Sequence, residues 1–163
     1  MGQSAKGEIE RKFIAANLPH SLLEPRKPVA IRQGYLCQNE HSEIRIRDKA
    51  GSYSMTVKQG AGLKRLETEL PLEAAQFDAL WPLTEGARLE KLRYHIPYFG
   101  NTLEIDVFNG ALTSLVIVEV EFASEEDSHY FLPPDFVSSE VTTDPNYKNL
   151  NLARYGLPKH NEH

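Results

Sequence analysis

The chain has 163 residues and a mass of 18.5 kDa, so we expect one domain spanning 1–163 with a core of about 7–155. A formal net charge of −5 excludes a global positive field, so nucleic acid and anionic membranes are not expected partners. The single cysteine, Cys37, excludes an internal disulfide. The sequence shows neither a signal-peptide core nor the roughly 20 apolar residues of a membrane span, so we expect a cytoplasmic protein.

Most of the sequence alternates between apolar and polar residues, which predicts β-strands with two distinct faces. Strands are predicted at 7–14, 30–37, 42–48, 52–58, 63–70, 87–96, 102–108 and 116–123. Short connections with turn residues imply antiparallel hairpins. Helical segments are predicted at 72–81, from Ser124 to just before Pro133, and at about 145–155, and residues 15–29 form an irregular crossing with room for one helical turn. The predicted fold class is α+β, mainly antiparallel β.

One face of nearly every predicted strand is charged, and charges of the same sign recur at alternate positions. The pairs are Arg45 with Arg47, Glu67 with Glu69, Lys91 with Arg93, Glu104 with Asp106, and Glu119 with Glu121. Side chains two apart on a strand lie roughly 7 Å from each other, so each pair repels itself unless opposite charge lies between. A solvated face is the commonest origin of such alternation. Repetition over five strands instead favours a closed eight-stranded β-barrel with a wet, charged lumen and helices on its apolar outer face.

Such a lumen suits a polyanion held through metal ions. Guanidinium groups bind phosphate oxygens bidentately, so clustered basic side chains favour a triphosphate. Carboxylates facing the same space repel phosphate unless a hard cation such as Mg²⁺ or Mn²⁺ bridges the two. The expected bases are Lys12, Arg45, Arg47, Lys58, Arg65, Lys91 and Arg93, and the expected acids are Glu8, Glu10, Glu67, Glu69, Glu104, Asp106, Glu119 and Glu121.

The segment Glu8-Ile9-Glu10-Arg11-Lys12 resembles the ExExK signature of the CYTH superfamily, the triphosphate tunnel metalloenzymes. The resemblance continues to about residue 155 through Glu43-Ile44-Arg45-Ile46-Arg47, Thr56-Val57-Lys58, Glu67-Thr68-Glu69, Glu90-Lys91-Leu92-Arg93-Tyr94, Leu103-Glu104-Ile105-Asp106-Val107-Phe108, Val118-Glu119-Val120-Glu121-Phe122 and Tyr147-Lys148-Asn149. It implies an antiparallel eight-stranded barrel and metal-dependent chemistry on a small-molecule triphosphate, most similar to that of compact, stand-alone bacterial tripolyphosphatases.

The resemblance also implies a role for each lumen residue. Two Mg²⁺ or Mn²⁺ ions are implied. Glu8, Glu10, Glu119 and Glu121 would be the principal metal ligands, and Glu67, Glu69, Glu104 and Asp106 would hold a second ion or orient water and basic residues. Lys12, Arg45, Arg47, Lys58, Arg65, Lys91, Arg93 and Lys148 would grip the triphosphate, although Lys148 also fits an ordinary exposed lysine. The implied catalytic set is Glu8, Glu10, Lys12, Lys91, Glu119 and Glu121. Arg11 lies on the opposite strand face and is not expected to contact substrate.

The substrate stays open at this point. Inorganic tripolyphosphate, cleaved to pyrophosphate and phosphate, is the first expectation. Class IV adenylyl cyclase, thiamine triphosphatase and nucleoside or RNA 5′-triphosphatase activities fit the same tunnel. A polyphosphate-binding module without turnover, or a structural barrel whose charges pair off, is the non-enzymatic alternative. Gln33 and Tyr35 share a strand face, but the sequence does not say whether that face is inside, and His95 fits either the rim of the lumen or a solvent-facing position.

Overall fold

A computed structural model describes residues 9–39, 41–60 and 66–159 of the protein. A single sheet dominates it, formed by β1 (Ile9–Ala15), β2 (Val29–Gln38), β3 (Ser42–Lys49), β4 (Ser52–Gln59), β5 (Leu66–Leu72), β6 (Arg88–Tyr98), β7 (Asn101–Phe108), β8 (Val116–Phe122) and β9 (Val137–Glu140). The spatial order is β5-β4-β3-β2-β6-β7-β8-β1-β9, and every neighbouring pair is antiparallel. The predicted mainly antiparallel α+β class is confirmed.

Short helices connect the strands. They are α1 (His20–Leu23), α2 (Ala74–Leu80), α3 (Glu125–Tyr130) and α4 (Asn149–Tyr155), with 3-10 helices at Trp81–Thr84, Gly110–Leu112 and Pro145–Tyr147. α3 begins after Ser124 because the Ser124 hydroxyl accepts a hydrogen bond from the backbone N–H of Asp127 at 3.1 Å. α2 begins with a capping box between Glu73 and Gln76. Within the described residues, no helix is long and apolar enough to cross a bilayer.

The sheet is not closed, so the predicted eight-stranded barrel is wrong in this respect. The unpredicted strand β9 pairs with β1 on the edge that β8 leaves free, and places Glu140 opposite Phe13. A strand has only two edges, so β1 has no edge left for β5. In the described part of the chain, β5 and β9 therefore have one neighbour each, and the sheet stays open between them.

Apolar side chains cover both faces of the curled sheet, but at different places. On the outer face, α1 and α3 pack over a cluster of Phe13, Ile96, Leu103, Ile105, Val118, Val120, Phe122 and Phe131. On the inner face, a second cluster contains Leu89, Phe108, Leu112, Leu115, Ile117, Val141, Tyr147 and Leu152. Because its members come from β6, β7, β8 and α4, the second cluster fills one end of the curl. The other end is left to the charged side chains.

Gly34 on β2 is required for the close approach of the 3-10 helix Trp81–Thr84. A Cβ atom at Gly34 would lie 2.6 Å from Cβ and Oγ1 of the fully buried Thr84. Thr84 cannot turn away freely, because its hydroxyl donates to the carbonyl of Trp81 at 2.7 Å and accepts from Nε of Arg88 at 2.9 Å.

We therefore expect Gly34→Ala to lower the free energy of unfolding by about 1–3 kcal/mol, the usual range for overpacking a well-filled site. Urea denaturation followed by circular dichroism measures this change. Cys37→Ala at the exposed end of the same strand is the control, with an expected change within about 0.5 kcal/mol. A Gly34→Ala variant as stable as the parent would mean that Thr84 does not pack against β2.

Candidate active site

The inner face of the sheet encloses a charged cavity of about 380 Å³. All eight strands from β1 to β8 contribute to it, as does the beginning of α4. The lining residues are Glu10, Lys12, Tyr35, Glu43, Arg45, Arg47, Lys58, Glu67, Glu69, Arg93, Glu104, Glu119, Glu121, Lys148, Asn149 and Leu150. The sheet therefore curls enough to bring charges from the first and last predicted strands into one space. Most of the side chains that the sequence predicts for the lumen are among them.

The strand order gives this cavity a simple charge layout. Basic side chains lie on the central strands, Lys58 on β4, Arg45 and Arg47 on β3, and Arg93 on β6. Most acidic side chains lie on both sides of this basic strip, on β5 and on the group β7, β8 and β1, while Glu43 lies on β3 itself and the basic Lys12 and Lys148 lie outside the strip. A polyanion can therefore rest on the basic strip while cations fill the spaces between it and the flanking acids.

Arg45 and Arg47 lie on the inner face of β3, where their charges oppose each other. Arg47 donates from Nε to Oε1 of Gln33 at 3.1 Å, and Arg45 donates from Nη2 to Oγ1 of Thr56 at 3.2 Å, so both bonds go to uncharged groups. Burial, followed by the charges of Arg45 and Arg93, lowers the pKa of Arg47 to about 10. Nε of Arg45 is buried with no hydrogen-bond acceptor among the described residues. An anion in the cavity would supply that acceptor and relieve the repulsion.

Gln33 and Tyr35 lie on the inside of β2, which settles the direction that the sequence left open. Gln33 is fully buried and donates from Nε2 to the Tyr35 hydroxyl at 3.0 Å. Burial raises the pKa of Tyr35 to about 12, so its hydroxyl stays protonated at neutral pH. The amide of Gln33 thus joins Arg47 and Tyr35 into one network along the edge of the cavity.

A buried ion-pair network lies behind the cavity and holds Arg93 in place. Arg93 donates from Nε and Nη2 to the two carboxylate oxygens of Asp106, at 2.7 and 2.8 Å. Nζ of Lys91 lies 2.8 Å from Oδ2 of the same carboxylate, and neither Lys91 nor Asp106 is exposed by more than 1%. Of these three residues, only Arg93 lines the cavity. From there its Nη1 reaches Oε2 of Glu104 at 3.1 Å.

The sequence predicts Lys91 as a phosphate-binding residue and Asp106 as a metal ligand, whereas the structure places both below the cavity surface. Burial alone would raise the pKa of Asp106, but the charge of Lys91 and the hydrogen bonds from Arg93 outweigh it and lower this pKa to about 2. Burial lowers the pKa of Lys91, while the charge of Asp106 opposes that shift. For Arg93, the bonds to Asp106 outweigh desolvation and raise the pKa. The three groups therefore depend on one another for their charges.

We expect the free energy of unfolding to fall as the pH is lowered from about 4 to about 2. Asp106 has a depressed pKa, about 2 against an ordinary 3.8, so its stabilising contribution is complete above 3.8 and is lost as the pH falls through the folded value. The shift corresponds to about 2 kcal/mol. Urea denaturation at pH 5 and pH 2 measures the loss. Asp106→Asn lacks this group and should lose less between the same two pH values; an equal loss in both proteins would contradict the assignment.

The acidic wall of the cavity contains two pairs of directly opposed carboxylates. Glu10 on β1 lies opposite Glu121 on β8, and Glu104 on β7 lies opposite Glu119 on β8. Like charges in such cross-strand positions are destabilising unless a cation lies near them. For the second pair, Arg93 is 3.1 Å from Glu104 and 3.9 Å from Glu119. Lys12 adds a contact of 3.5 Å to Glu119.

These acids fit a hard divalent cation by their chemistry, although they are not gathered into a finished site. Carboxylate oxygens are the ligands that Mg²⁺ and Mn²⁺ prefer. No group of three or more aspartate, glutamate, histidine or cysteine side chains is arranged to hold a metal ion within 9–39, 41–60 and 66–159. The opposed pair Glu104 and Glu119 is instead approached by the protein's own cations, Arg93 and Lys12, for which a divalent ion could substitute.

The other residues considered in the sequence lie at the cavity, away from it, or outside the described part of the chain. Lys148 is exposed but lines the cavity, next to the carbonyl of Tyr147, which accepts a hydrogen bond from Nζ of Lys12 at 3.2 Å. His95 is exposed, 4.0 Å from Glu104, and Arg11 lies on the outer face, where it pairs with Glu140 at 2.8 Å. Glu8 and Arg65, predicted as metal and phosphate ligands, lie outside the described residues, and their roles stay predictions.

Sequence reasoning missed several lining residues. Glu43 shares the strand face of Arg45 and Arg47, so its alternation could have placed it in the cavity. Asn149 and Leu150 begin α4 directly after Lys148, which the resemblance placed at the triphosphate, but no role was predicted for these two side chains. Tyr35 could be recognised only once the inner face of β2 was known.

Fold and site together define a curled antiparallel sheet whose inner face surrounds a cavity lined by paired charges. The family model described as the CYTH domain matches residues 6–153. The chain belongs to the CYTH family, as its sequence motifs predict.

Similar proteins from two bacteria share this family and almost the whole chain length. An inorganic triphosphatase from Nitrosomonas europaea is 46% identical over 149 residues, which cover 90% of this chain and 96% of the relative. An inorganic triphosphatase from Acetivibrio thermocellus is 36% identical over 149 residues, covering 90% of this chain and 93% of the relative. A crystal structure of an inorganic triphosphatase is 41% identical, with a TM-score of 0.73 over 94% of this chain and 97% of that one.

Proposed function

We propose that the protein hydrolyses inorganic tripolyphosphate to pyrophosphate and phosphate inside the charged cavity. The observation that carries this proposal is the strip of Lys58, Arg45, Arg47 and Arg93 across the cavity, flanked on both sides by carboxylates. The strip matches a linear chain of phosphates, and the flanking acids match the cations that such a chain carries. The names of the two bacterial relatives, both inorganic triphosphatases, support the same substrate.

Binding and orientation fall to the basic side chains. Arg45 has a buried Nε–H with no acceptor among the described residues, and the pKa of Arg47 is lowered by burial and by its positive neighbours, so both gain from a phosphate placed between them. Arg93 is fixed by Asp106 and keeps one side of its guanidinium in the cavity. We assign Lys91 and Asp106 to positioning Arg93 rather than to direct contact with substrate. Lys12, Lys58, Lys148 and, outside the described residues, Arg65 complete the proposed phosphate-binding set.

The reaction is the attack of a water oxygen on a terminal phosphorus. The bond from that phosphorus to the bridging oxygen breaks, pyrophosphate leaves with the electron pair, and a proton is released to solvent. The guanidinium groups on β3 and β6 hold the phosphates in line and stabilise the charge that develops on the leaving oxygen. Catalysis on this surface is mainly positioning and electrostatics, and it requires no covalent intermediate.

A divalent cation is part of the proposal, because metal dependence is typical of the CYTH family and the donor set fits one. Glu10, Glu119 and Glu121, together with Glu8, would hold the first ion, and Glu67, Glu69 and Glu104 would hold a second. Bound there, Mg²⁺ or Mn²⁺ would neutralise negative charge on the phosphate oxygens beside these acids. The sheet register favours two pairs of ligands equally, Glu10 with Glu121 and Glu104 with Glu119, because the members of each pair lie directly opposite each other on neighbouring strands.

An organic triphosphate would also have to place its organic group in or beside the cavity. ATP and thiamine triphosphate each carry a bulky aromatic ring system, whereas most of the described lining is charged, with Tyr35 and Leu150 as its largely apolar members. A panel of tripolyphosphate, ATP, thiamine triphosphate and pyrophosphate, assayed for phosphate release and for cyclic AMP, tests the choice. We expect the highest kcat/KM for tripolyphosphate. Cyclic AMP formed from ATP, or a higher kcat/KM for either organic triphosphate, would overturn it.

A further inference from the structure

A second cavity adjoins the charged one. It has a volume of about 290 Å³ and is lined by Tyr35, Leu36, Cys37, Gln38, Leu83, Glu85, Gly86, Ala87, Leu150 and Arg154. Tyr35 and Leu150 line both cavities, so these two side chains form the partition between them. One side of this partition is the aromatic residue of β2, and the other is an aliphatic residue of α4.

The Leu150 side of the partition is held firmly. Leu150 is 8% exposed, and Leu152, two residues further along α4, is 2% exposed within the apolar cluster at the end of the curl. The segment before the helix is tied to β1 at two points, since the N–H of Val141 donates to the carbonyl of Lys12 at 2.8 Å and Nζ of Lys12 donates to the carbonyl of Tyr147 at 3.2 Å. A ligand in the charged cavity therefore meets a fixed apolar wall at this end.

A cation lies just beyond that wall. Arg154 follows Leu150 by four residues on α4, so both side chains project from one face of the helix. The guanidinium of Arg154 hydrogen-bonds the side-chain oxygen of Gln38, and Arg154 and Gln38 both line the second cavity. The second cavity thus offers a basic group on the far side of the partition from the charged cavity. The acid in its described lining is Glu85.

We propose that Leu150 sets the length of the phosphate chain that the protein accepts. The leucine side chain separates the two cavities, so an unbranched phosphate chain that extends from the charged cavity towards Arg154 has to pass it. Shortening Leu150 joins the two cavities and lets a fourth phosphate approach Arg154. This inference rests on the proposed function and adds a residue that selects tripolyphosphate over longer linear polyphosphates.

The test compares kcat/KM for linear tetrapolyphosphate with kcat/KM for tripolyphosphate in the full-length protein, with Mg²⁺ present. In Leu150→Ala we expect the tetrapolyphosphate to tripolyphosphate ratio to rise at least tenfold. In the double variant Leu150→Ala, Arg154→Gln, we expect most of that gain to disappear. Leu152→Ala is the matched control, because it shortens a leucine of the same helix that lines neither cavity and should leave the ratio unchanged.

Each outcome decides a separate question. An unchanged ratio in Leu150→Ala, a parent protein that uses both substrates equally, or an equal rise in Leu152→Ala would overturn the role of Leu150 while leaving tripolyphosphate hydrolysis intact. A parent protein that cleaves neither phosphate would overturn the proposed function itself. If thermal melting shows Leu150→Ala to be unfolded, Leu150→Val takes its place with a smaller expected rise, about threefold, and no rise in that variant counts against the proposal.

Discussion

Asp106→Ala is expected to lose about 3–5 kcal/mol of unfolding free energy, the range observed when one partner is removed from a buried ion pair. Its carboxylate accepts two hydrogen bonds from Arg93 and forms an ion pair with Lys91, and each of the three nitrogen–oxygen distances is at most 2.8 Å. Without this carboxylate, the buried cations of Lys91 and Arg93 lie on the same face of β6 with no counter-charge between them. Arg93 retains its ion pair with Glu104 at 3.1 Å, so the loss of the counter-charge mainly affects Lys91, which is 1% exposed. Urea denaturation at pH 7 measures the change.

The matched control is an ion pair of similar length on the outer surface. Glu140 pairs with Arg11 at 2.8 Å, but its side chain is 41% exposed, so Glu140→Ala should cost less than about 1 kcal/mol. A double variant, Asp106→Ala with Lys91→Met, removes the stranded ammonium and should recover part of the stability. Equal stability of Asp106→Ala and the parent would show that the buried network does not form.

Arg45→Ala and Glu10→Gln are expected to impair activity in two different ways. In the proposed function Arg45 would supply a charge-assisted contact to phosphate, so its loss should raise KM for tripolyphosphate by about 10- to 100-fold. Glu10 lies opposite Glu121 in the acidic wall, so Glu10→Gln should raise the Mg²⁺ concentration needed for half-maximal activity and lower kcat by about 100-fold. Steady-state kinetics with tripolyphosphate and Mg²⁺ varied in turn separate the two effects.

Each activity variant has a control outside the cavity. Lys49→Ala removes a basic side chain from the exposed end of the same strand as Arg45, and Glu90→Gln removes an acid from the exposed outer face of β6; neither residue lines the charged cavity. Both controls should keep KM, kcat and metal requirement within about twofold of the parent. Folded Arg45→Ala and Glu10→Gln proteins with unchanged kinetics would place the active site elsewhere.

Strand alternation made most of the fold predictable. The eight predicted strands are present because their two faces differ sharply in polarity, as in Ile44 and Ile46 against Arg45 and Arg47. β9 was missed because Val137–Glu140 is short and three of its four residues are polar, so it carries no apolar periodicity. Because β9 was not predicted, the sheet was expected to close into a barrel, whereas β9 occupies the edge of β1 that closure would need.

The alternation of polar and apolar residues predicts the strand face on which a side chain lies, but not how deeply that side chain is buried inside the curled sheet. Lys91, Arg93 and Asp106 share the inward face with Glu104 and Glu119, yet only some of these side chains reach the cavity. The difference arises because Phe108, Leu112 and Leu152 fill one end of the curl and bury whatever lies beneath them. The predicted helical segment at 145–155 exists, but its insertion into the sheet depends on contacts distant in sequence, such as that between Lys12 and Tyr147.

Phosphate release from tripolyphosphate, with Mg²⁺ present and then with EDTA, tests the central claim most directly. We expect one phosphate and one pyrophosphate from each tripolyphosphate consumed when Mg²⁺ is present, and a loss of turnover in EDTA that added Mg²⁺ reverses. A folded protein that binds tripolyphosphate but releases no phosphate with Mg²⁺ or Mn²⁺ would contradict the claim and identify the cavity as a polyphosphate-binding site.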